Sequence, residues 1–238
     1  MEADGGLDSI VGAINRVTGA TGGLKVLDFG CGQGRLVDGL IQQGFDAYGC
    51  DVGGPVNERL RRIEEPYRLP FDSEFFDLVV STSVLEHNLN KEEGFAEIRR
   101  VLKPGGYSIH VLPSKWYLPT EPHIGVPLVS HMWPKVPTWW LGLWALLGVR
   151  NPFQAGKPWR EVTELNRQFC VQGLCYWSLK RLRAASIEAF GNFQLRQDCL
   201  IDFSHGGLAA LCRRLPFRPL TEWVMANTRM MMIVSQKP

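Results

Sequence analysis

The sequence predicts an α/β fold, a doubly wound, mostly parallel sheet with helices on both faces. Three observations carry that reading. From residue 7 to residue 112, short apolar runs alternate with stretches of helical periodicity. A glycine-rich turn, Asp28-Phe29-Gly30-Cys31-Gly32-Gln33-Gly34, follows the first such run and opens the next helix. At Pro113 the alternation gives way to a Trp- and Pro-rich stretch, and it resumes near Cys175.

Each element has a local reason. Leu7, Ile10, Val11, Ile14 and Val17 fall at helical spacing and predict a leading amphipathic helix. Residues 24–29 (LKVLDF) form a short, mostly apolar run ending in glycine, the mark of a strand buried in a parallel sheet. Residues 35–43 predict a helix that turns Leu36, Val37, Leu40 and Ile41 inward. Residues 45–51 and 76–81 predict the next two strands. Residues 90–103 predict a helix with a capping box. Asn90 accepts from first-turn amides while Glu93 reaches back to the Asn90 backbone. Phe95, Ile98 and Leu102 form its buried stripe, and Lys103-Pro104-Gly105-Gly106 stops it. Residues 107–112 are a further strand. After the interruption, the expectations are a helix over 175–190, a strand over 192–201, a helix over 208–215 and a final strand over 229–235.

The interruption has its own composition. Seven of the eight tryptophans lie between positions 116 and 177, and eight of the fifteen prolines between 113 and 158. It reads as an insertion folding over the sheet, so the chain divides as one domain. Residues 1–112 form a ligand-binding half, 113–174 an insertion, and 175–238 a closing helix–strand part.

Length and composition narrow the function. With 238 residues, 45% hydrophobic and 21% charged, the chain is an ordinary globular domain and not a disordered one. Six cysteines without a CxxC exclude zinc-ribbon and thioredoxin-type chemistry and suit reduced thiols in the cytoplasm. The acidic start MEADGGLDSI lacks a signal-peptide core. The most apolar run, 138–149, has 12 residues, short of the ~20 that span a bilayer. Charge is uneven: 11 Lys/Arg against 17 Asp/Glu in residues 1–110, then 15 against 7. The basic clusters Lys180-Arg181-Arg183 and Arg213-Arg214-Arg218 therefore suit either an anionic partner or plain solvated faces.

The glycine turn is the chemical signal. Glycines there let the backbone approach a ligand, and Asp51, at the end of the second strand, can accept both hydroxyls of a ribose. A nicotinamide fingerprint needs a third glycine at 35, where the chain has Arg35. Asp28 beside the turn opposes a pyrophosphate and favours a cationic ligand without phosphate.

The segments VLDFGCGQGRL (26–36), YGCDV (48–52), RLPFDSEFFDLVVSTSVLEH (68–87) and EIRRVLKPGGY (97–107) carry a resemblance. Together they resemble the class I S-adenosylmethionine-dependent methyltransferases, in the small-molecule branch called methyltransferase type 11. The resemblance implies a Rossmann-like, seven-stranded, mostly parallel sheet with the insertion, a lid, after the fifth strand. It implies S-adenosylmethionine as cofactor. Asp28 and the amides around Gly30, Cys31 and Gly32, with Gly34 completing the turn, would hold its methionine part. Asp51 would hold the ribose, with Val52 against the adenine and Ser81 near the cofactor. Where the family often has an Asp-Ala pair before LPF, this chain has Glu65-Pro66. Pro66 has no N–H to offer, which leaves Tyr67 to supply a stacking face or an amide.

Methyl transfer needs alignment and exclusion of water, and a hydroxyl acceptor usually needs a base. His123, in Glu121-Pro122-His123, is the first candidate base and His131 the second, with Glu121 as orienter. The plain alternative is a structural histidine. His87, at the LEH element, reads as a packing residue. The stretch 138–149 allows three readings: an apolar lid, an interfacial helix making peripheral membrane contact, and a subunit interface. Trp140, Leu143, Trp144 and Leu147 share one face in all three. Residues 117–128 loosely resemble those of bacterial surface-glycan methyltransferases. The acceptor expected is a small molecule, anionic or apolar, with its hydroxyl on a sugar or lipid-linked glycan. The rival is a cofactor-binding module without turnover. No nucleic-acid substrate is expected, since Ser81-Thr82-Ser83-Val84 stands where an amino-methyltransferase Asn/Asp-Pro-Pro tetrad would fall.

Overall fold

The computed structural model describes residues 3–238. Met1 and Glu2, which open the acidic N-terminus, lie outside the described residues. Seven strands form one sheet: β1 (Lys25–Phe29), β2 (Asp46–Asp51), β3 (Leu60–Arg62), β4 (Phe76–Thr82), β5 (Leu102–Pro113), β6 (Gln194–Leu195) and β7 (Met230–Gln236). Their order is β3-β2-β1-β4-β5-β7-β6. Neighbours pair in parallel from β3 through β5, and β7 runs antiparallel to both β5 and β6. The order reverses between β1 and β4, which opens a crevice beyond the carboxyl ends of those strands, where open α/β sheets bind ligands.

Helices cover both faces. On one, α1 (Ala3–Thr18), α2 (Arg35–Gln42) and α8 (Gln197–Phe203) pack Ile10, Ile14, Leu40 and Cys199 onto Val26, Leu78, Val80 and Val234. On the other, α3 (Lys91–Val101) and α7 (Leu179–Phe190) pack Phe95, Ile98, Leu182 and Phe190 onto Leu27, Val79 and Ile233. Central strands are thus buried on both sides, which is why they read as continuous apolar runs. Each fully buried Leu or Phe there contributes about 2 kcal/mol. Tyr48, Phe71, Phe75 and Phe76 meet edge to face and fix the turn that feeds β4.

Several expectations change. β3 is absent from the sequence reading because only Leu60 is buried while Arg61 and Arg62 face solvent, as on a charged edge strand. The strand expected over 192–201 shrinks to Gln194–Leu195 and is followed by helix α8. Gln197, Cys199 and Ile201 alternate like a strand, yet α8 touches α1, β7 and two further helices, so burial from several sides erases helical periodicity. Those two are α9 (Gly207–Arg214) and the unforeseen α10 (Arg218–Thr228). α10 was illegible because Leu220, Trp223 and Val224 point outward. The helix expected from 175 begins at Leu179, capped by Ser178, whose hydroxyl accepts from the Arg181 amide. The capping box at α3 is half formed. Asn90 accepts from the Glu93 amide, while the Asn90 N–H donates to the Tyr67 hydroxyl at 3.1 Å.

Residues 113–174 carry α4 (Val129–Met132), α5 (Thr138–Leu146) and α6 (Trp159–Gln168) around a small core of their own, which includes Ile124, Val126, Leu141 and Tyr176. The face expected on α5 is split. Trp140 and Trp144 pack inward beside Leu141 and Ala145, while Leu143 and Leu147 face outward with Trp139 and Leu146. No helix among the described residues is long and apolar enough to cross a membrane. The basic clusters are partly committed: Arg181 meets Glu92 and stacks on Trp177, Arg213 caps the Ile201 and Ser204 carbonyls, and Arg218 bonds Asp202 and Glu222.

Candidate active site

The turn after β1 needs its glycines. Gly30, Gly32 and Gly34 all have positive φ, at 80°, 53° and 81°. A Cβ on Gly30 would also stand 2.2 Å from a Val84 methyl. Three of the turn's amides are spent inside the protein. The amides of Gly30 and Cys31 donate to the Cys50 carbonyl at 2.8 and 3.1 Å, and the Gly32 amide donates to Asp51 Oδ2 at 2.9 Å. With these three N–H groups committed, what they leave toward a ligand is mainly carbonyl and carboxylate acceptors, which suit a cation and not a phosphate.

Beyond the turn lies a cavity of about 590 Å³, within the range of small-molecule sites. Gly30, Asp51, Val52, Tyr67, Val84 and His87 line it, together with Glu64, Glu65 and Glu97. No Lys or Arg stands among these lining residues. Glu97 is neutralised from behind by Arg100 and Glu65 by Arg68. This leaves Asp51 and Glu64 as the lining carboxylates without an ion-pair partner among the described residues, a balance that favours a cationic ligand. Asp51 bridges the Gly32 and Gly53 amides, one on each carboxylate oxygen. Val52 is 77% exposed at the rim. Pro66 lines the cavity, and Tyr67 follows it at φ 58°. Asp28 is buried behind the turn, and burial, reinforced by the charge of Asp51, pushes its carboxyl up to about 7. Burial likewise lifts the Cys31 thiol to about 12, which makes it inert.

Ser81 is not brought to the cavity. It is fully buried within the sheet and bonds His110 Nδ1 on β5 at 2.7 Å, because residues Ser81 and His110 are partners in register. Ser83 and Val84 line the cavity instead. His131 is also elsewhere, beside the Trp116 ring with its Nδ1 3.3 Å from the Ser130 hydroxyl.

His123 stands one layer behind the wall. Its Nε2 lies 3.2 Å from Nε2 of His87, which does line the cavity. None of residues 113–174 is among the lining residues, so the expected lid stands behind the cavity wall, where His123, Phe169 and Gly173 meet His87. Glu121, fully buried, organises the histidine. One oxygen faces His123 Nδ1 at 2.7 Å and accepts from the Tyr176 hydroxyl at 2.9 Å. The other accepts from the His123 and Ile124 amides, both at 2.8 Å. Burial opposes the Glu121 charge, but these bonds and the charge of His123 outweigh it and hold the carboxyl below its usual range. Burial also works against the His123 charge, yet Glu121 and then Glu86 raise its pKa. His87, lowered mainly by burial, stays neutral.

Three members of this cluster escaped the sequence reading. Glu86 is buried, and neither of its carboxylate oxygens has a hydrogen-bond partner among the described residues. Burial pushes it up to about 7. Lys91, wholly buried and brought down to about 8 by that burial, donates to the Asn88 and Cys175 carbonyls at 2.8 and 2.7 Å. Tyr176 meets Glu121 across 55 positions of sequence, a separation no local pattern signals. The one available signal was the run Leu85-Glu86-His87 itself, two polar side chains placed directly after a buried leucine.

Comparison with known proteins fits this geometry. The family model described as "Methyltransferase domain" matches residues 27–110. Ubiquinone biosynthesis O-methyltransferase of Photobacterium profundum is 32% identical over 110 residues, covering 40% of this chain and 47% of that protein. Probable tRNA methyltransferase 9B of Mus musculus is 33% identical over 93 residues, covering 35% of this chain and 20% of that protein. This chain thus spans less than half the length of these curated relatives. An S-adenosylmethionine-dependent methyltransferase from Mesorhizobium loti superposes with a TM-score of 0.57 at 16% identity, over 99% of this chain and 100% of that one. At that identity the likeness speaks to the fold.

Proposed function

The chain belongs to the class I S-adenosylmethionine-dependent methyltransferases, and on that premise we propose that it moves the cofactor's methyl group to a hydroxyl of a small-molecule acceptor. One observation carries the reading: a glycine turn whose Gly30, Cys31 and Gly32 amides are committed within the protein, with Asp28 behind it, opens onto a cavity that has carboxylates and no Lys or Arg among its lining residues. The cofactor, when bound, supplies a methyl group already activated on a sulfonium. The residues present fit it. Asp28 answers its ammonium, the glycine turn admits its methionine part, and Asp51 accepts from its ribose. Val52 and Tyr67 flank its adenine. Glu121 fixes His123, and the His87–His123 pair at the cavity's inner end takes the acceptor's proton. In this reading residues 1–112 hold the cofactor, 113–174 face the acceptor and 175–238 complete the sheet.

We place the acceptor hydroxyl on a sugar or lipid-linked glycan. The resemblance of residues 117–128 supports it, as does the outward face of α5, where Trp139, Leu143, Leu146 and Leu147 give an apolar chain or a bilayer surface a place to rest. The electronegative wall argues against a polyanionic nucleic acid.

Two substitutions test the assignments. Asp51→Ala lowers S-adenosylmethionine affinity about 100-fold in calorimetric titration, as expected for loss of two hydrogen bonds to a charged acceptor. Affinity within about threefold of wild type would remove Asp51 from the ribose. His123→Ala lowers turnover, read as S-adenosylhomocysteine release over a panel of hydroxylated acceptors, by about 100-fold, with cofactor affinity unchanged. If the wild-type chain binds S-adenosylmethionine but releases no S-adenosylhomocysteine with any acceptor, the chain is a binding module of the same fold.

A further inference from the structure

We propose that Glu86, His87 and His123 form a binding site for a divalent transition-metal cation of the zinc class. One ligand atom from each lies within 4.8 Å of the others. The argument begins with where the protons are. Nδ1 of His87 faces the Gly173 carbonyl, which can only accept, so that nitrogen carries the proton. Nδ1 of His123 faces the Glu121 carboxylate, so the same holds there. The two Nε2 atoms are left facing one another across 3.2 Å, a separation that one shared proton or one cation bridges. A third acceptor completes the set: Glu86 Oε1 is 3.9 Å from His123 Nε2. The Glu86 carboxylate is buried, and no other described residue donates to it. A buried carboxylate without a partner is costly. The nearby cation cannot answer it, because Lys91 spends itself on two backbone carbonyls and the Trp177 ring.

The spacing matches coordination. Two nitrogens each ~2.05 Å from a tetrahedral ion stand ~3.3 Å apart, and the two Nε2 atoms are 3.2 Å apart. The carboxylate stands farther off, 3.9 Å from His123 Nε2 with the whole set within 4.8 Å, so it must move by roughly 1 Å to reach an oxygen–metal distance near those of known sites. The outer contacts are those that metal-binding histidines use: a carboxylate on His123 Nδ1, itself held by Tyr176, and a backbone carbonyl on His87 Nδ1. Two imidazoles and one carboxylate select zinc, cobalt or ferrous iron over magnesium or calcium, which prefer oxygen alone. His87 lines the cavity, so a remaining coordination position faces the acceptor. A cation there acidifies a bound hydroxyl in place of the free His123 base. That consequence rests on the methyl-transfer reading, whereas binding of the cation does not.

The test uses the whole chain, stripped with a chelator and titrated with Co2+, read by visible ligand-field absorption, and with Zn2+ in equilibrium dialysis. One equivalent of either ion is expected. Glu86→Gln keeps the shape and removes an unpaired buried charge, so it folds. It weakens Co2+ binding at least 10-fold, and Tyr176→Phe, acting through Glu121, weakens it about 10-fold. Asp51→Ala binds Co2+ as wild type does. Absence of stoichiometric binding, or Glu86→Gln binding as tightly as wild type, overturns the site and leaves the two imidazoles sharing a proton. Failure to bind S-adenosylmethionine with cobalt binding intact would overturn the methyl-transfer reading alone.

Discussion

S-adenosylmethionine affinity should fall about tenfold for each pH unit below 7, and Asp28→Asn should abolish that slope; above about pH 8 affinity falls again as the ligand's own α-amino group loses its proton. In the free protein the Asp28 carboxyl sits at about 7, chiefly because it is buried and secondly because Asp51 is near. A bound ammonium needs the carboxylate, so below pH 7 a proton must leave on binding, and the affinity carries that penalty. The Asn variant binds at least 100-fold more weakly at pH 8, having lost a buried charge partner. The same shift has a stability side. Asp28 holds its proton more tightly in the folded chain than at its ordinary value of 3.8. Its contribution to stability is therefore fully present below that value and is lost as pH rises through 7. The full difference is about 4 kcal/mol. Asp28→Asn should then melt higher than wild type at pH 8 and the same at pH 4. Calorimetric titrations from pH 5 to 8, with melts at both ends, check both halves. An affinity that does not vary with pH would show that Asp28 does not meet the ligand's charge.

Glu121→Ala should destabilise the chain by about 3–5 kcal/mol. The carboxylate takes four donors: the His123 and Ile124 amides, His123 Nδ1 and the Tyr176 hydroxyl. Its removal leaves them in a site without water access, because Glu121 is fully buried. For a domain this size the melting temperature drops by ~10 °C or more. Glu121→Gln keeps one acceptor oxygen but turns an amide against donors, so it falls between. Melts in the presence of chelator separate this effect from any cation. A change within about 2 °C for the alanine variant would mean that the insertion's small core, and not this carboxylate, holds residues 117–128.

The cofactor half was legible because its determinants are local. Asp28, the turn glycines and Asp51 lie within 24 consecutive residues, and strand ends place them together. Their use was less legible. Nothing in the sequence signalled that the Gly30, Cys31 and Gly32 amides would donate to Cys50 and Asp51 of the neighbouring strand, a pairing set by the sheet. Ser81 failed through strand alternation, which turns it to His110. α10 and α8 failed because a helix whose apolar residues face out, or one buried on several sides, has no single apolar stripe.

By itself the sequence determined the central strands β1, β2, β4, β5 and β7 and the glycine turn, since apolar runs, glycines and strand-end carboxylates act over a few residues. Tertiary structure alone decided what stands at the cavity's inner end. Glu86 and His87 come from the segment after β4, Glu121, His123 and Gly173 from the insertion, and Tyr176 from just beyond its far end. They meet because the insertion folds a core of its own and lays both its ends against the sheet. Contacts between positions so far apart are fixed by packing, and no spacing in the chain encodes them.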